Sequence, residues 1–201
     1  MKFQKLIKRF FDFFGALFGL VLLSPLFLII VILIKIDSSG SVFFKFERIG
    51  QYGKSFKPFK FRTIKQGSIK TGLGYTLSNN DLRITRIGKI LRRLGIDELV
   101  QVINVIKGDM SLVGPRPTFR YQVEEYNDFQ KKRLLVKPGI TSWALIHGRN
   151  LLSWEQRIKY DVWYIENWSL WLDFKILFLT PFIILSGKGL YGERGINDPF
   201  V

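Results

Sequence analysis

Residues 13–34 read FFGALFGLVLLSPLFLIIVILI, an uncharged run of 22 residues between Asp12 and Lys35. An apolar helix of that length matches the hydrocarbon thickness of a bilayer. It is too long for the apolar stretch of a secretion signal, and no small-residue cleavage site follows it. Ser24-Pro25 interrupts its middle. Proline removes one helical hydrogen bond and crowds the preceding turn, so a sharp bend is expected, with the Ser24 hydroxyl satisfying a freed backbone group. Lys2, Lys5, Lys8 and Arg9 precede the run; Lys35, Lys45, Arg48, Lys54, Lys57, Lys60 and Arg62 follow it. Lys/Arg excess marks cytoplasmic flanks. A helix that enters, bends at Ser24-Pro25 and leaves on the face it entered satisfies both flanks. The competing reading is a kinked ordinary span, because membrane helices tolerate proline.

Composition narrows the partners. The 201 residues carry 31 Lys+Arg against 16 Asp+Glu, a net charge of +15, which suits a polyanion: nucleic acid, an anionic membrane or a phosphorylated substrate. With 47% hydrophobic residues and positive mean hydropathy, the chain is too apolar to be disordered, and the balance favours the membrane over nucleic acid. The absence of Cys excludes disulfide frameworks, thiolate metal sites and cysteine nucleophiles. A single His, His147, argues against a multi-histidine metal site or a His-based triad.

Beyond the turn cluster Asp37-Ser38-Ser39-Gly40, the runs SVFFKFERIG and SFKPFKFRT flank a Gly-containing turn and read as a β-hairpin. Pro58 makes the second strand an edge strand or a broken one. Residues 65–80 are polar and read as a loop. Ile84, Ile87, Leu91 and Leu94 give a basic amphipathic helix over 82–94, ended by Gly95. Leu99, Val102, Ile103 and Ile106 give a second helix over 97–107, ended by Gly108. SLVGPRP is a rigid turn, and a charged helix is expected near 120–135. All five Trp lie in the last third, where Ile176–Leu185 is too short to span a membrane and suits its interface. The fold class is α+β, mainly helical. Residues 1–36 are expected to form the membrane-associated helix, and 37–201 a small globular domain with interfacial helices.

Two constellations could carry chemistry. Asp97-Glu98 opens a helix directly after a basic one. In isolation the pair reads as an N-cap with its dipole partner. If Arg92, Arg93 and Arg116 converge on it, the same pair reads as an ionised site for phosphoryl transfer. Pro115-Arg116-Pro117 restricts the backbone around one guanidinium, a form suited to bidentate phosphate binding, or else is a plain rigid turn. Alternation places Lys60 and Arg62 on one strand face, toward substrate, anionic lipid or solvent. Asp109 reads as a partner of Lys107, and His147 as a satisfied hydrogen-bonding residue. No P-loop and no GxGxxG fingerprint is present.

The segments KRFFDFFGALFGLVLLSP, VFFKFERIG, FKPFKFRT, LRRLGIDELVQVINVIKGDMSLVGPRP, VKPGITSWA and GRN follow one another in that order. In them the chain resembles the bacterial sugar transferases, monotopic phosphoglycosyl transferases that act on polyprenol phosphate, over about residues 2–185. The resemblance implies a re-entrant helix broken at Ser24-Pro25, held at the cytoplasmic face of the bacterial inner membrane, and a minimal catalytic unit. It implies Asp97 as nucleophile toward the sugar-bearing phosphorus of a UDP-sugar, Glu98 as its catalytic partner, and Mg2+ at Asp97. UMP would leave, and undecaprenyl phosphate would then take the phosphosugar. By the same resemblance Lys60 and Arg92 lie near the carboxylates, Arg116 on the phosphate and Arg149 near the nucleotide. Phe46, Val100, Ser142, Leu145 and His147 depart from the family's pattern, which leaves the donor sugar open. The implied partners are a UDP-sugar, polyprenol phosphate and an anionic membrane, and no nucleic acid. The oligomeric state stays open, a homodimer included. A different class, a membrane-anchored basic module that binds lipid or nucleic acid without catalysis, would need no Asp-Glu pair.

Overall fold

The computed structural model describes residues 2–68, 76–78 and 81–192. Most of the polar stretch expected as a loop over 65–80, and the tail from 193 onward, lie outside the described residues. The architecture is α+β and mainly helical, as the pattern predicts.

Helix α1 spans Lys2–Asp37 with Pro25 inside it. The helix–break–helix expected at Ser24-Pro25 is one continuous helical element. Pro25 has no N–H for the Val21 carbonyl, and the Ser24 hydroxyl donates to that carbonyl at 2.8 Å. One face of α1 is buried at helical spacing, through Asp12, Ala16, Phe27, Ile30 and Ile34, against the core of the domain. The opposite face leaves Phe10, Phe14, Phe18, Val21, Ile29 and Ile32 exposed. α1 is long and apolar enough to cross a membrane.

Both ends of α1 are tied to the same domain. Lys8 Nζ reaches Asp173 Oδ2 at 2.6 Å, and Asp12 Oδ1 accepts from Ser111 Oγ and Leu112 N, both at 3.0 Å. Arg9 donates to the carbonyls of Val105 and Ile106 in the last turn of the helix that ends at Gly108, where the helix dipole favours a cation. At the other end, Asp37 Oδ2 accepts from Ile87 N at 2.9 Å.

The hairpin forms in two pieces. β1 (Phe43–Lys45) pairs antiparallel with β4 (Phe59–Phe61), and β2 (Arg48–Ile49) with β3 (Ser55–Phe56). Pro58 separates β3 from β4, since it cannot donate to a ladder. The fully buried Asn104 bridges the gap. Its Oδ1 accepts from Phe59 N at 2.8 Å, and its Nδ2 donates to Lys57 O at 3.1 Å. Nδ2 also donates to Asp109 Oδ2 at 3.2 Å, so the Asp109 side chain meets Asn104 rather than the expected Lys107.

Helix α2 covers only Arg86–Arg93. Thr85 caps it by accepting from Gly88 N, and upstream Asp81 holds Arg83 in a two-pronged ion pair. The helix expected over 97–107 is a 3₁₀ helix, Ile96–Gln101, running into α3, Val102–Lys107. β5 (Ser111–Val113) pairs in parallel with β6 (Gly139–Thr141). The charged helix near 120–135 is α4 (Arg120–Glu124), α5 (Asp128–Lys131) and a final 3₁₀ turn. A reciprocal Asn127–Gln130 capping box starts the second helix afresh. α6 (Trp143–Ile146), α7 (Trp154–Glu166) and α8 (Leu170–Leu185) complete the chain's helices among the described residues. α8 runs through Pro181 and exposes Trp171, Phe174, Phe178 and Phe182. Phe174 meets Phe11 of α1 edge-on, so the two apolar faces adjoin.

Candidate active site

Asp97 and Glu98 occupy the first turn of the 3₁₀ helix, after Gly95 in the left-handed conformation (φ 65°). No side chain caps that start, so the Asp97 carboxylate is not consumed as an N-cap. Lys60, on β4 beside this helix, meets both carboxylates: Asp97 Oδ2 at 2.9 Å and Glu98 Oε1 at 2.8 Å. Arg116 grips Glu98 with two parallel bonds, from NH1 to Oε2 at 2.8 Å and from NH2 to Oε1 at 2.7 Å.

The turn carrying Arg116 is shaped by a segment far away in sequence. Gly114 N donates to Thr141 O, and Gly139 N to Pro115 O, each at 3.0 Å. A Cβ on Gly139 would lie 2.1 Å from Gly114 N, so the crossing requires glycine. VGPRP and KPGI are two halves of one clamp.

Burial pushes the Glu98 carboxyl up, but the charges of Arg116 and Lys60 and their hydrogen bonds outweigh it and hold it well below the usual carboxylate range. With both oxygens bonded, Glu98 is a fixed anion that orients Lys60 and Arg116. Asp97 is only 4% exposed, yet it lines a cavity, and its Oδ1 makes no hydrogen bond among the described residues. Of the two carboxylates, Asp97 has the oxygen available to a ligand.

Two cavities, of about 120 and 150 Å³, border this cluster, and Lys60, Arg92, Glu98, Arg116 and Arg157 line both. The first also has Phe44, Phe46, Phe119, Trp154 and Arg133 in its wall. The second adds Asp97, Leu145, Arg149, Asn150, Ile184 and Leu190. Arg92, in the last turn of α2, is 9% exposed, and its Nε has no hydrogen-bond partner among the described residues. Arg149 adopts a left-handed backbone (φ 55°). Burial and Arg116 lower its pKa, while Glu98 and Asp97 raise it, so its guanidinium lies within electrostatic reach of both carboxylates.

Lys60, Arg92, Asp97, Glu98, Arg116 and Arg149 therefore come together. Arg62 does not join them. It is 4% exposed, lines neither cavity, and donates to the Ser38 and Ser39 carbonyls just beyond the end of α1. Carbonyls at a helix C-terminus attract a guanidinium, and strand alternation does not see them. His147 bonds the Trp143 carbonyl at 2.8 Å and stacks on Tyr160, a satisfied residue as expected. Ser142 caps α6, Val100 is core, and Phe46 and Leu145 are cavity wall.

Sequence reasoning missed Arg133 and Arg157. Both are buried around Asp161, which is 1% exposed and lies 2.8 Å from Arg133 NH2. Arg133 also donates to Arg116 O at 3.1 Å, and Arg157 to Arg149 O at 2.9 Å, so each supports one cavity arginine through its backbone. The only signal was an i, i+4 Arg–Asp pair on α7, a pattern that ordinarily reads as a solvated face.

Among the described residues no group of three or more His, Cys, Asp or Glu could hold a metal ion. A magnesium ion commonly takes one or two carboxylates and completes its shell with substrate phosphate and water. Asp97 Oδ1 fits that limited role; a cage made wholly of protein ligands does not fit.

Over residues 3–187 the chain matches the family described as bacterial sugar transferase. It is 43% identical over 185 residues to the uncharacterized sugar transferase EpsL of Bacillus subtilis (strain 168), covering 92% of this chain and 90% of that one. It is 43% identical over 189 residues to a UDP-N-acetylgalactosamine-undecaprenyl-phosphate N-acetylgalactosaminephosphotransferase of Aeromonas hydrophila. It is 36% identical over 203 residues to the undecaprenyl-phosphate galactose phosphotransferase of Salmonella typhimurium. The matches cover 91% and 94% of this chain but only 44% and 42% of those longer relatives. The chain belongs to the bacterial sugar transferase family and is an enzyme of the phosphoglycosyl transferase kind.

Proposed function

We propose that this enzyme transfers a sugar 1-phosphate from a UDP-sugar to a polyprenol phosphate, with release of UMP, as the first step of a surface polysaccharide. The observation that carries the reading is a buried carboxylate with one available oxygen, Asp97, in a cavity whose wall holds Lys60, Arg92, Arg116, Arg149 and Arg157 and adjoins a second cavity through a shared cationic wall. A UDP-sugar is an anionic diphosphate with an uncharged group at each end, which suits two lobes joined at a cationic centre. The aromatic lobe suits a sugar ring, and the lobe with Arg149 and Asn150 suits the nucleoside.

The reaction runs in two halves. An Asp97 oxygen attacks the sugar-bearing phosphorus, the bond from that phosphorus to the bridging oxygen breaks, and UMP leaves with the electron pair. A phosphate oxygen of the polyprenol carrier then attacks the same phosphorus, and the bond to Asp97 breaks to restore the carboxylate. Lys60, Arg92 and Arg116 stabilise the charge at each transfer, and Glu98 keeps two of them aimed. A bound Mg2+, held by Asp97 and the diphosphate, would add further charge neutralisation.

α1 is proposed as a re-entrant element on the cytoplasmic face of the inner membrane. Support comes from its two ends, both bonded to one basic domain, and from its exposed apolar face adjoining that of α8. Cysteines placed at residues 4 and 38 are both expected to react with a membrane-impermeant thiol reagent only after cells are opened. Labelling of the residue-4 cysteine in intact spheroplasts would overturn the re-entrant topology and leave the chemistry standing.

The function itself is tested by incubating the purified protein with a panel of UDP-sugars, Mg2+ and undecaprenyl phosphate. UMP is expected from one donor or a few, and chelation should suppress it. Salt-sensitive binding of lipid or nucleic acid without any UMP would favour the binding module instead.

A further inference from the structure

The polar tail after α8 carries no motif, and the family match stops at residue 187. The structure nevertheless returns residues 188–190 to the cavity that holds Asp97. Asn150 N donates to Gly189 O at 3.2 Å, and Asn150 Nδ2 to Leu190 O at 2.7 Å. Arg149 NH1 reaches Lys188 O at 3.4 Å. Gly189 is buried with φ +68°, and a Cβ there would lie 2.5 Å from Gly148 O and 3.0 Å from Arg149 Cβ. The tail therefore backs the strained loop Gly148–Asn150 from one side. Arg157 holds it from the other, donating to Arg149 O and to Asn150 Oδ1. Leu190 itself lines the cavity with Ile184, Leu145 and Arg149.

A residue with a side chain holds the left-handed backbone of Arg149 only at a cost in strain, which surrounding contacts must offset. The tail supplies three of those contacts. We infer that the Lys188–Leu190 turn is part of the substrate site: it positions Arg149 and gives the nucleoside end of the donor an apolar wall at Leu190. This rests on the UDP-sugar reading above. It assigns a substrate-facing role to a segment beyond the family match, which stops at residue 187.

UMP is the diagnostic probe, because it contains the nucleoside and one phosphate but neither sugar nor isoprenoid. Its binding to the purified full-length protein is measured by titration calorimetry. Gly189→Val, which cannot keep the turn against Gly148, is expected to weaken UMP about tenfold. Leu190→Ala, which leaves every backbone bond in place, is expected to weaken it about threefold. The KM for the UDP-sugar should rise in parallel, while kcat and the KM for undecaprenyl phosphate stay within about twofold of wild type. Unchanged UMP affinity in both variants would overturn the inference. So would a raised acceptor KM with UMP binding intact, which would turn the tail toward the lipid. If Gly189→Val melts early, Leu190→Ala decides alone. Wild-type protein that neither binds UMP nor releases it would sink the donor reading and this inference with it, an outcome separate from a wild type that binds and variants that match it.

Discussion

Asp97→Asn is expected to slow UMP release by at least about 10³-fold while leaving UMP binding within a few-fold of wild type. The substitution is nearly isosteric and keeps an oxygen near Lys60, which remains paired with Glu98. What it removes is the nucleophile, since a neutral amide oxygen does not form a stable bond to phosphorus. The sharper readout is mass. With donor supplied and acceptor withheld, wild-type protein should gain the mass of one phosphosugar, and peptide mapping should place it on residue 97. Asp97→Asn should gain nothing. Full turnover by this variant would refute the nucleophile, and an adduct mapped to Glu98 would exchange the two roles. The structure argues against that exchange, because Arg116 and Lys60 occupy both Glu98 oxygens.

The second large effect is on stability. Asp161 lies between Arg133 and Arg157, all three buried on or beside α7. Burial raises the Asp161 pKa more than the two guanidinium groups lower it, so ionisation of this carboxyl is disfavoured in the fold. The folded protein therefore holds the Asp161 proton more tightly than the unfolded chain does. This group costs stability as pH rises from the unfolded carboxylate range through the raised folded pKa. The cluster is thus a placement device, bearing on Arg116 and Arg149 through their carbonyls. Asp161→Ala strands two buried cations and is expected to cost about 3–5 kcal/mol, lowering the thermal midpoint by roughly 10 °C in a chain of this size. Arg133→Met combined with Asp161→Leu replaces the pair with apolar volume. It should recover part of the lost midpoint, Arg157 staying buried without its carboxylate, but little of the activity, because Arg116 loses its backbone tether. Recovery of both would show that the cluster serves stability alone.

Local patterns announced much of this fold because they report local physics. The uncharged run, the broken hairpin at Pro58 and the stops at Gly95 and Gly108 each follow from the covalent character of a few adjacent residues. Asp97, Glu98 and Arg116 could be nominated because their neighbours already suggested the chemistry. The two basic residues of β4 and its edge show where such reading ends. Strand alternation treats Lys60 and Arg62 alike, yet one meets the carboxylates and the other the end of α1. Their difference lies in which helix end or carboxylate the fold brings alongside, and neither partner is near in sequence.

Residue chemistry alone determined a basic, membrane-seeking chain with a carboxylate pair beside a cluster of arginines. Tertiary structure decided which carboxylate keeps an open oxygen, that VGPRP and KPGI close one clamp, and that Arg157 and Leu190 line the cavity that holds Asp97. The physical reason is range. Propensity and hydrophobic period act over a turn or two, whereas hydrogen bonds between residues 114 and 141, or 150 and 190, exist only after the chain has folded back on itself.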